Sequence, residues 1–147
     1  MLGLADNKKV VIVGIPGVGK TSLVTKLVEL IKQQNKTVGV HSFGTVMLEE
    51  AMKNGIKDRD ELRTLSIEKQ QELQKMAAED ISNMEDDVIL IDTHAFISTK
   101  SGFYPGLPNY VIQIMQPTNF IAITASPDEI HDRRMKDTTR NRDPVSI

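Results

Sequence analysis

The chain has 147 residues, 39% of them hydrophobic and 26% charged, enough for one packed domain and too apolar for a disordered segment. A net charge of −2, a pI near 5.9 and an aromatic content of 4% give no basic surface for nucleic acid or anionic lipid and few rings to stack on bases. The absence of cysteine excludes disulfides and thiolate metal sites and fits a reducing cytoplasm.

Lys8 and Lys9 followed by apolar residues imitate the start of a secretion signal, but Gly14, Pro16 and Gly17 interrupt the run, and no apolar stretch reaches membrane-spanning length. A cytoplasmic protein without a membrane partner is the expectation. The first element is the apolar run Val10–Val13, read as a buried strand. It leads into Gly14-Ile15-Pro16-Gly17-Val18-Gly19-Lys20-Thr21, which fits the phosphate-binding pattern G-x-x-x-x-G-K-[ST], with Ser22 beside it. Glycines let such a loop curl so that amide N–H groups converge on a phosphate, and the following helix adds the positive end of its dipole. Lys20 supplies mobile charge for the β- and γ-phosphates, and the Thr21 hydroxyl is placed to ligate Mg²⁺. A glycine-rich turn that happens to contain Lys-Thr is the bland alternative; the strand before it and the amphipathic helix after it favour a nucleoside triphosphate.

That helix runs from about Lys20 to Gln34 and puts Leu23, Leu27, Leu30 and Ile31 on one face. A second strand is read around Val38 and Val40, from Thr37 to Ser42, and a helix over Thr45–Asn54 ends at Gly55 as its C-cap. Asp58 and Asp60 can cap a short helical segment through Leu65. Ser66 can start a longer helix carrying Leu73, Met76, Ala77, Ile81 and Met84. Strands follow at Val88–Ile91 and Phe120–Thr124. The last helix opens with Ser126-Pro127-Asp128-Glu129, in which Ser126 caps, Pro127 takes the first helical position and Glu129 reaches back. The order reads β-α-β-α-α-β-α-β-α, and near-continuous apolarity in the strands marks a parallel sheet covered on both faces. The fold class is therefore α/β, a three-layer P-loop sandwich in a single domain, 1–147. The methionines at 47, 52, 76, 84 and 115 read as core filling.

Chemistry beyond the loop centres on Asp92 and the arginines. Asp92 follows the strand Val88–Ile91 at the carboxyl edge of a parallel sheet, where ligands bind in such folds, and can hold Mg²⁺; capping the turn after the strand is its alternative role. All six arginines fall in two clusters, Arg59 and Arg63, then Arg133, Arg134, Arg140 and Arg142, while the twelve lysines are scattered. Guanidinium forks suit bidentate phosphate contacts, so one cluster can hold an acceptor while the other closes over the transferring group. Nearby Asp58, Asp60, Asp132, Asp137 and Asp143 offer ordinary surface ion pairs as the competing explanation. His94 is placed to touch phosphate or acceptor, or simply to pack; His41 and His131 have no companions at metal-ligand spacing. No Ser-His-Asp, paired-carboxylate or HExxH pattern is visible. A hydroxyl acceptor needs a base, whereas a nucleoside monophosphate attacks through an oxygen already ionised at neutral pH, so a site of positive charge and Mg²⁺ suits the second.

Together these segments resemble the archaeal-type adenylate kinases, a branch of the P-loop nucleoside monophosphate kinases. The resemblance covers most of the chain. It is carried by the loop Gly14–Thr21, by Phe43-Gly44-Thr45-Val46-Met47, by Asp58-Arg59-Asp60-Glu61-Leu62-Arg63 and by Asp92-Thr93-His94. It continues through Gly102-Phe103-Tyr104-Pro105-Gly106-Leu107-Pro108, then Arg133-Arg134 and Thr139-Arg140-Asn141-Arg142-Asp143. It implies reversible Mg²⁺-dependent transfer from ATP to AMP, giving ADP. It also implies a monophosphate region over about 43–85 with Gly44, Thr45 and Arg63 as acceptor residues, Arg59 a weaker one, and Gly106 bordering the same pocket. Arg133, Arg134, Arg140 and Arg142 would belong to the hinge and to a lid beginning near 136. Family members are often trimers, so a homo-oligomer is implied. The family continues past the lid with a further strand and helix that helps hold the adenine, and this chain stops at Ile147, where that segment would begin.

Two other readings fit parts of the pattern. One is a small-metabolite kinase of the same fold with Asp92 as base. The other is a nucleotide-dependent ATPase or assembly factor; a GTPase lacks support because no N/T-K-x-D guanine-reading motif is present.

Overall fold

The computed structural model describes residues 6–15, 17–94, 96–99 and 102–136. In chain order the elements are β1 (Lys8–Val13), α1 (Lys20–Gln33), β2 (Val38–Ser42), α2 (Phe43–Lys53), α3 (Arg59–Thr64) and α4 (Ile67–Ser82). Then come β3 (Val88–Thr93), β4 (Phe96–Thr99), β5 (Gly102–Pro105), α5 (Asn109–Met115), β6 (Asn119–Ala122) and α6 (Pro127–Lys136). Four strands form a parallel sheet in the order β2-β3-β1-β6, and β4 pairs antiparallel with β5 as a separate hairpin. A parallel α/β sandwich is thus what the apolar strands build.

Alternation decides which face each strand residue covers. Val11, Ile89 and Ile91 point into the main core, where they meet Phe43, Val46, Met47 and Ala51 of α2, Leu73, Ala77, Ala78 and Ile81 of α4, and Val111 and Met115 of α5. Ile12 and Leu90, also fully or almost fully buried, point to the opposite face. Asp92 shares their parity and lines a cleft there with Val40 of β2 and Val24 and Val28 of α1. The site therefore lies on the α1 side of the sheet.

Local chemistry sets the helix ends. Asp58 and Ser66 accept from the amides of Glu61 and Lys69, and Ser126 and Glu129 bond reciprocally at 3.3 Å to open α6, all as expected. Gly55 takes φ +88° after α2. Where the sheet begins, Thr37 donates through its amide and hydroxyl to Asp87 Oδ2, at 2.8 and 3.2 Å. Those two bonds hold the Asp87 carboxyl below its usual pKa. Between α2 and α4, buried Glu50 pairs with Lys53 and shares a hydrogen bond with Asp80.

Five expectations change. The second helix begins at Phe43 rather than Thr45, because Ser42 takes the extended cap conformation and Phe43 anchors the first turn at 4% exposure. The short segment read after Asp58 is a helix of its own, so three helices separate β2 from β3 where the element order counted two. The hairpin β4–β5 was not anticipated: its strands are four residues each, too short to show a period. The strand expected over Phe120–Thr124 occupies Asn119–Ala122, following its pairing with Val10–Val13. Finally, no residue of α1 is buried, and Leu30 of its expected inner face is 46% exposed. Among the described residues α1 packs chiefly against the edge strand β2, and a helix at a sheet edge keeps much of its apolar stripe uncovered. No described helix is long and apolar enough to cross a membrane.

Candidate active site

Parallel pairing brings the carboxyl ends of the strands to one edge: Val13 stands opposite Thr93 and Ala122, and Ser42 opposite Asp92. At this edge β1 runs into the loop 14–19. A Cβ on Gly14 would lie 2.8 Å from Val18 Cγ1 and 3.2 Å from the Ile123 carbonyl, so the close packing of the loop on β6 requires glycine. Gly17 and Gly19 adopt φ +90° and +95°, and Gly19 caps α1. The first-turn amides of α1 have no intrahelical partners, no side chain caps them, and the turn carries no acidic residue. Lys20, Thr21 and Ser22 therefore present their N–H groups, with the helix dipole behind them, to an anion.

Lys20 reaches down to the sheet. Its ammonium donates to the carbonyls of Gly14 (3.3 Å) and Thr93 (3.2 Å) and lies 2.6 Å from Asp92 Oδ1. That approach is a charge contact rather than an aligned hydrogen bond: Oδ1 is buried and has no hydrogen-bond partner. Asp92 and Thr21 line one cleft of about 430 Å³. A partly exposed carboxylate that shares a cleft with a hydroxyl fits a hard cation that takes its other ligands from phosphate and water. Among the described residues no cluster of three or more His, Asp or Glu side chains could hold a metal alone.

Helix α6 closes on the loop from the other side. Arg133 Nη1 donates to the Gly17 carbonyl at 3.4 Å, and the Arg134 Cγ lies 3.1 Å from where a Gly17 Cβ would sit. Two of the four arginines expected for the hinge and lid thus stand at the phosphate loop. Arg140 and Arg142, the lid from 137 onward, and Pro16 lie outside the described residues.

The expected acceptor residues occupy the neighbouring end of the sheet. Gly44 and Thr45 form the first turn of α2, directly after β2, and the Thr45 hydroxyl accepts from Arg59 Nη2 at 3.2 Å. Arg63 is 74% exposed and pairs with Asp60 at 3.5 Å, so the structure ties Arg59, the weaker candidate, more closely to Thr45. Gly106 is buried in the turn before α5. His94 Nδ1 lies 3.4 Å from the Gly14 carbonyl, which places it at the donor loop. Two contributors escaped the sequence reading, the Thr93 carbonyl and Ile130. Thr93 acts through its carbonyl, which leaves no trace in residue type. Val18 is 4% exposed inside the loop, and Ile130, 3% exposed, fastens α6 beside Gly17. A buried apolar residue in the otherwise charged Pro127–Arg134 stretch was the available signal for Ile130.

A family model described as AAA domain matches residues 13–147. The chain is 43% identical over 139 residues to an adenylate kinase of Methanocaldococcus jannaschii, covering 93% of this chain and 72% of that protein. An adenylate kinase of Sulfurisphaera tokodaii is 42% identical over 141 residues, covering 92% and 73%. The crystal structure of APE1195 superposes with a TM-score of 0.53 at 22% identity, over 90% of this chain and 68% of that one, a likeness of fold.

Proposed function

The chain belongs to the adenylate kinase family and is a phosphotransferase of the nucleoside monophosphate kinase class, and on that premise we propose that it transfers the γ-phosphoryl group of ATP reversibly to AMP, giving two ADP. An AMP phosphate oxygen attacks the γ-phosphorus, and the bond from that phosphorus to the β,γ-bridging oxygen breaks. No base is needed, because the attacking oxygen carries no proton at neutral pH.

The observation that carries the donor half is the uncapped start of α1, with Lys20 beside it, at the carboxyl edge of the sheet. Backbone N–H groups of the Gly14–Ser22 stretch, Pro16 excepted, would hold the donor phosphates with charge from Lys20, and Thr21 and Asp92 would hold Mg²⁺, which would supply further positive charge to those phosphates. Arg133 and Arg134, with Arg140 and Arg142 in the lid, stabilise the transferring group. Gly44, Thr45, Arg59, Arg63 and Gly106 form the acceptor side, and His94, beside the donor loop, is the remaining substrate-binding residue. In this reading the single domain contains a monophosphate region over about 43–85 and a lid from about 136, works in the cytoplasm, and assembles as a homo-oligomer, a trimer by family analogy.

Lys20→Met tests the assignment. Incubated with MgATP and AMP, the variant is expected to keep its circular dichroism spectrum and form no ADP by chromatography. Normal turnover in a folded variant refutes the donor-site reading. A panel of monophosphates and small hydroxyl compounds offered to the wild type tests the acceptor class, and transfer to a hydroxyl compound alone would move the assignment to a metabolite kinase.

A further inference from the structure

We propose that Ile130 is a positioning residue for phosphoryl transfer, the apolar pin that sets Arg133 and Arg134 beside the phosphate loop. This deepens the proposed function and rests on the part given there to the two arginines. It starts from the way α6 is attached.

Ile130 is the one buried side chain of α6, at 3% exposure. Positions i, i+3 and i+4 share a helix face, so Ile130, Arg133 and Arg134 turn the same way. That face meets the loop. A Cβ on Gly17 would lie 3.5 Å from Ile130 Cγ2 and 3.1 Å from Arg134 Cγ, and one on Gly19 would lie 3.3 Å from Arg133 Nη1. The two bare glycines leave the room that α6 fills.

The strengths of these contacts decide which of them holds the helix. Ahead of α6, the Ile123 amide donates to the Val13 carbonyl at 2.8 Å, which ties the incoming chain to β1. The Ser126–Glu129 cap lies within the first turn and secures the start of the helix, not its direction. A helix attached at one end can still pivot. Arg133 restrains it weakly: the residue is exposed, and its 3.4 Å bond to the Gly17 carbonyl is longer than the ordinary range of about 2.7–3.2 Å. Burial of a branched apolar side chain is the stronger hold. Ile130 therefore fixes the tilt of α6, and the guanidiniums one turn further on follow it.

The consequence falls on rate. Positive groups aimed at charge that develops in the transition state help only where they are aimed, and a misplacement of about 1 Å can cost about 100-fold. The loop amides and Lys20 stand on the loop and α1 and grip donor phosphates without α6. Loss of the pin should thus reach turnover more than binding.

The test is steady-state kinetics with MgATP and AMP, beside calorimetric binding of MgATP, for wild type, Ile130→Ala and Ile130→Val. Ile130→Ala is expected to keep its circular dichroism spectrum and to lose at least about tenfold in kcat, while Kd for MgATP and KM for AMP change by less than about threefold. Ile130→Val keeps the Cγ2 branch that faces Gly17 and should stay within about threefold of wild-type kcat. In an Arg133→Ala background, Ile130→Ala should cost less than about threefold in kcat, because one of the residues it places is gone. If that background has no measurable turnover, Arg133→Lys replaces it. Equal losses of kcat in both backgrounds, or parallel losses of kcat and MgATP affinity, would make Ile130 a support of the loop itself and overturn the proposal. An unchanged kcat in Ile130→Ala overturns it too, and leaves the transfer reading standing. Absence of ADP formation by folded wild type overturns both. If Ile130→Ala does not fold, Ile130→Thr carries the same comparison, since it keeps the branch and puts a hydroxyl in the buried seat.

Discussion

Gly17→Ala separates the shape of the phosphate loop from its charge. Gly17 has φ +90°, and a residue with a Cβ pays about 1–2 kcal/mol to enter left-handed backbone. The added Cβ would lie 3.1 Å from Arg134 Cγ, 3.4 Å from the Ile130 carbonyl and 3.5 Å from Ile130 Cγ2. Only the first contact is tight, and it is made by a long side chain in the last turn of α6 that can shift by a few tenths of an ångström. Strain rather than overlap therefore sets the cost. It should total about 1–2 kcal/mol, or about five- to thirtyfold in the population of the binding-competent loop. The assay is the dissociation constant for MgATP, measured beside a urea unfolding curve. Repeating Gly17→Ala in an Arg134→Ala background removes the overlap and keeps the strain, so the coupling should stay below about 0.5 kcal/mol. A loss of affinity under about twofold, or its rescue by Arg134→Ala, would refute the account.

Three further outcomes are expected. Arg63→Ala should raise KM for AMP about tenfold or more while KM for ATP stays nearly constant, and equal losses for both nucleotides would remove Arg63 from the acceptor side. Asp80 has its pKa raised by its hydrogen bond to Glu50, by burial and by the Glu50 charge, so its stabilising contribution is lost as pH rises through that folded value. Asp80→Asn, neutral throughout, should then unfold at a higher temperature than wild type near pH 8, with the gap closing on acidification; a gap that does not change with pH counts against it. The Asp87 carboxyl, with its pKa lowered by Thr37, contributes stability above its unfolded pKa and loses it as pH falls through the folded one. Asp87→Asn should accordingly flatten the loss of stability below about pH 4 in thermal unfolding, and an unchanged acid limb would contradict the assignment.

What was legible in the sequence was local chemistry. The capping sets at Asp58, Ser66 and Ser126 each span four residues, and their hydrogen bonds fall where the residue types require them. The phosphate loop is equally local, and the apolar runs of β1 and β3 can be buried only in a covered sheet. The exposed stripe of α1 was not legible, because a helix's period gives its apolar face and not what lies against it. Nor was the hairpin β4–β5, whose short strands pair with each other outside the main sheet.

Lys20 and Asp92 show the limit most sharply. Each carries a role readable from its own surroundings: a lysine at the head of a helix, and an aspartate at the end of an apolar strand. Their contact depends on pairing between β1 and β3, which sets Ile12 beside Asp92 and Val13 beside Thr93 and so puts the carboxylate below the loop that follows β1. A bond from Lys20 to the Thr93 carbonyl spans 73 residues, and no spacing rule reaches that far. The two roles are individually compatible with phosphate and metal binding, yet the fold makes them compete for one another. Site chemistry inferred residue by residue would treat the two charges as independent, whereas their 2.6 Å contact sets each against the other at the edge of the sheet.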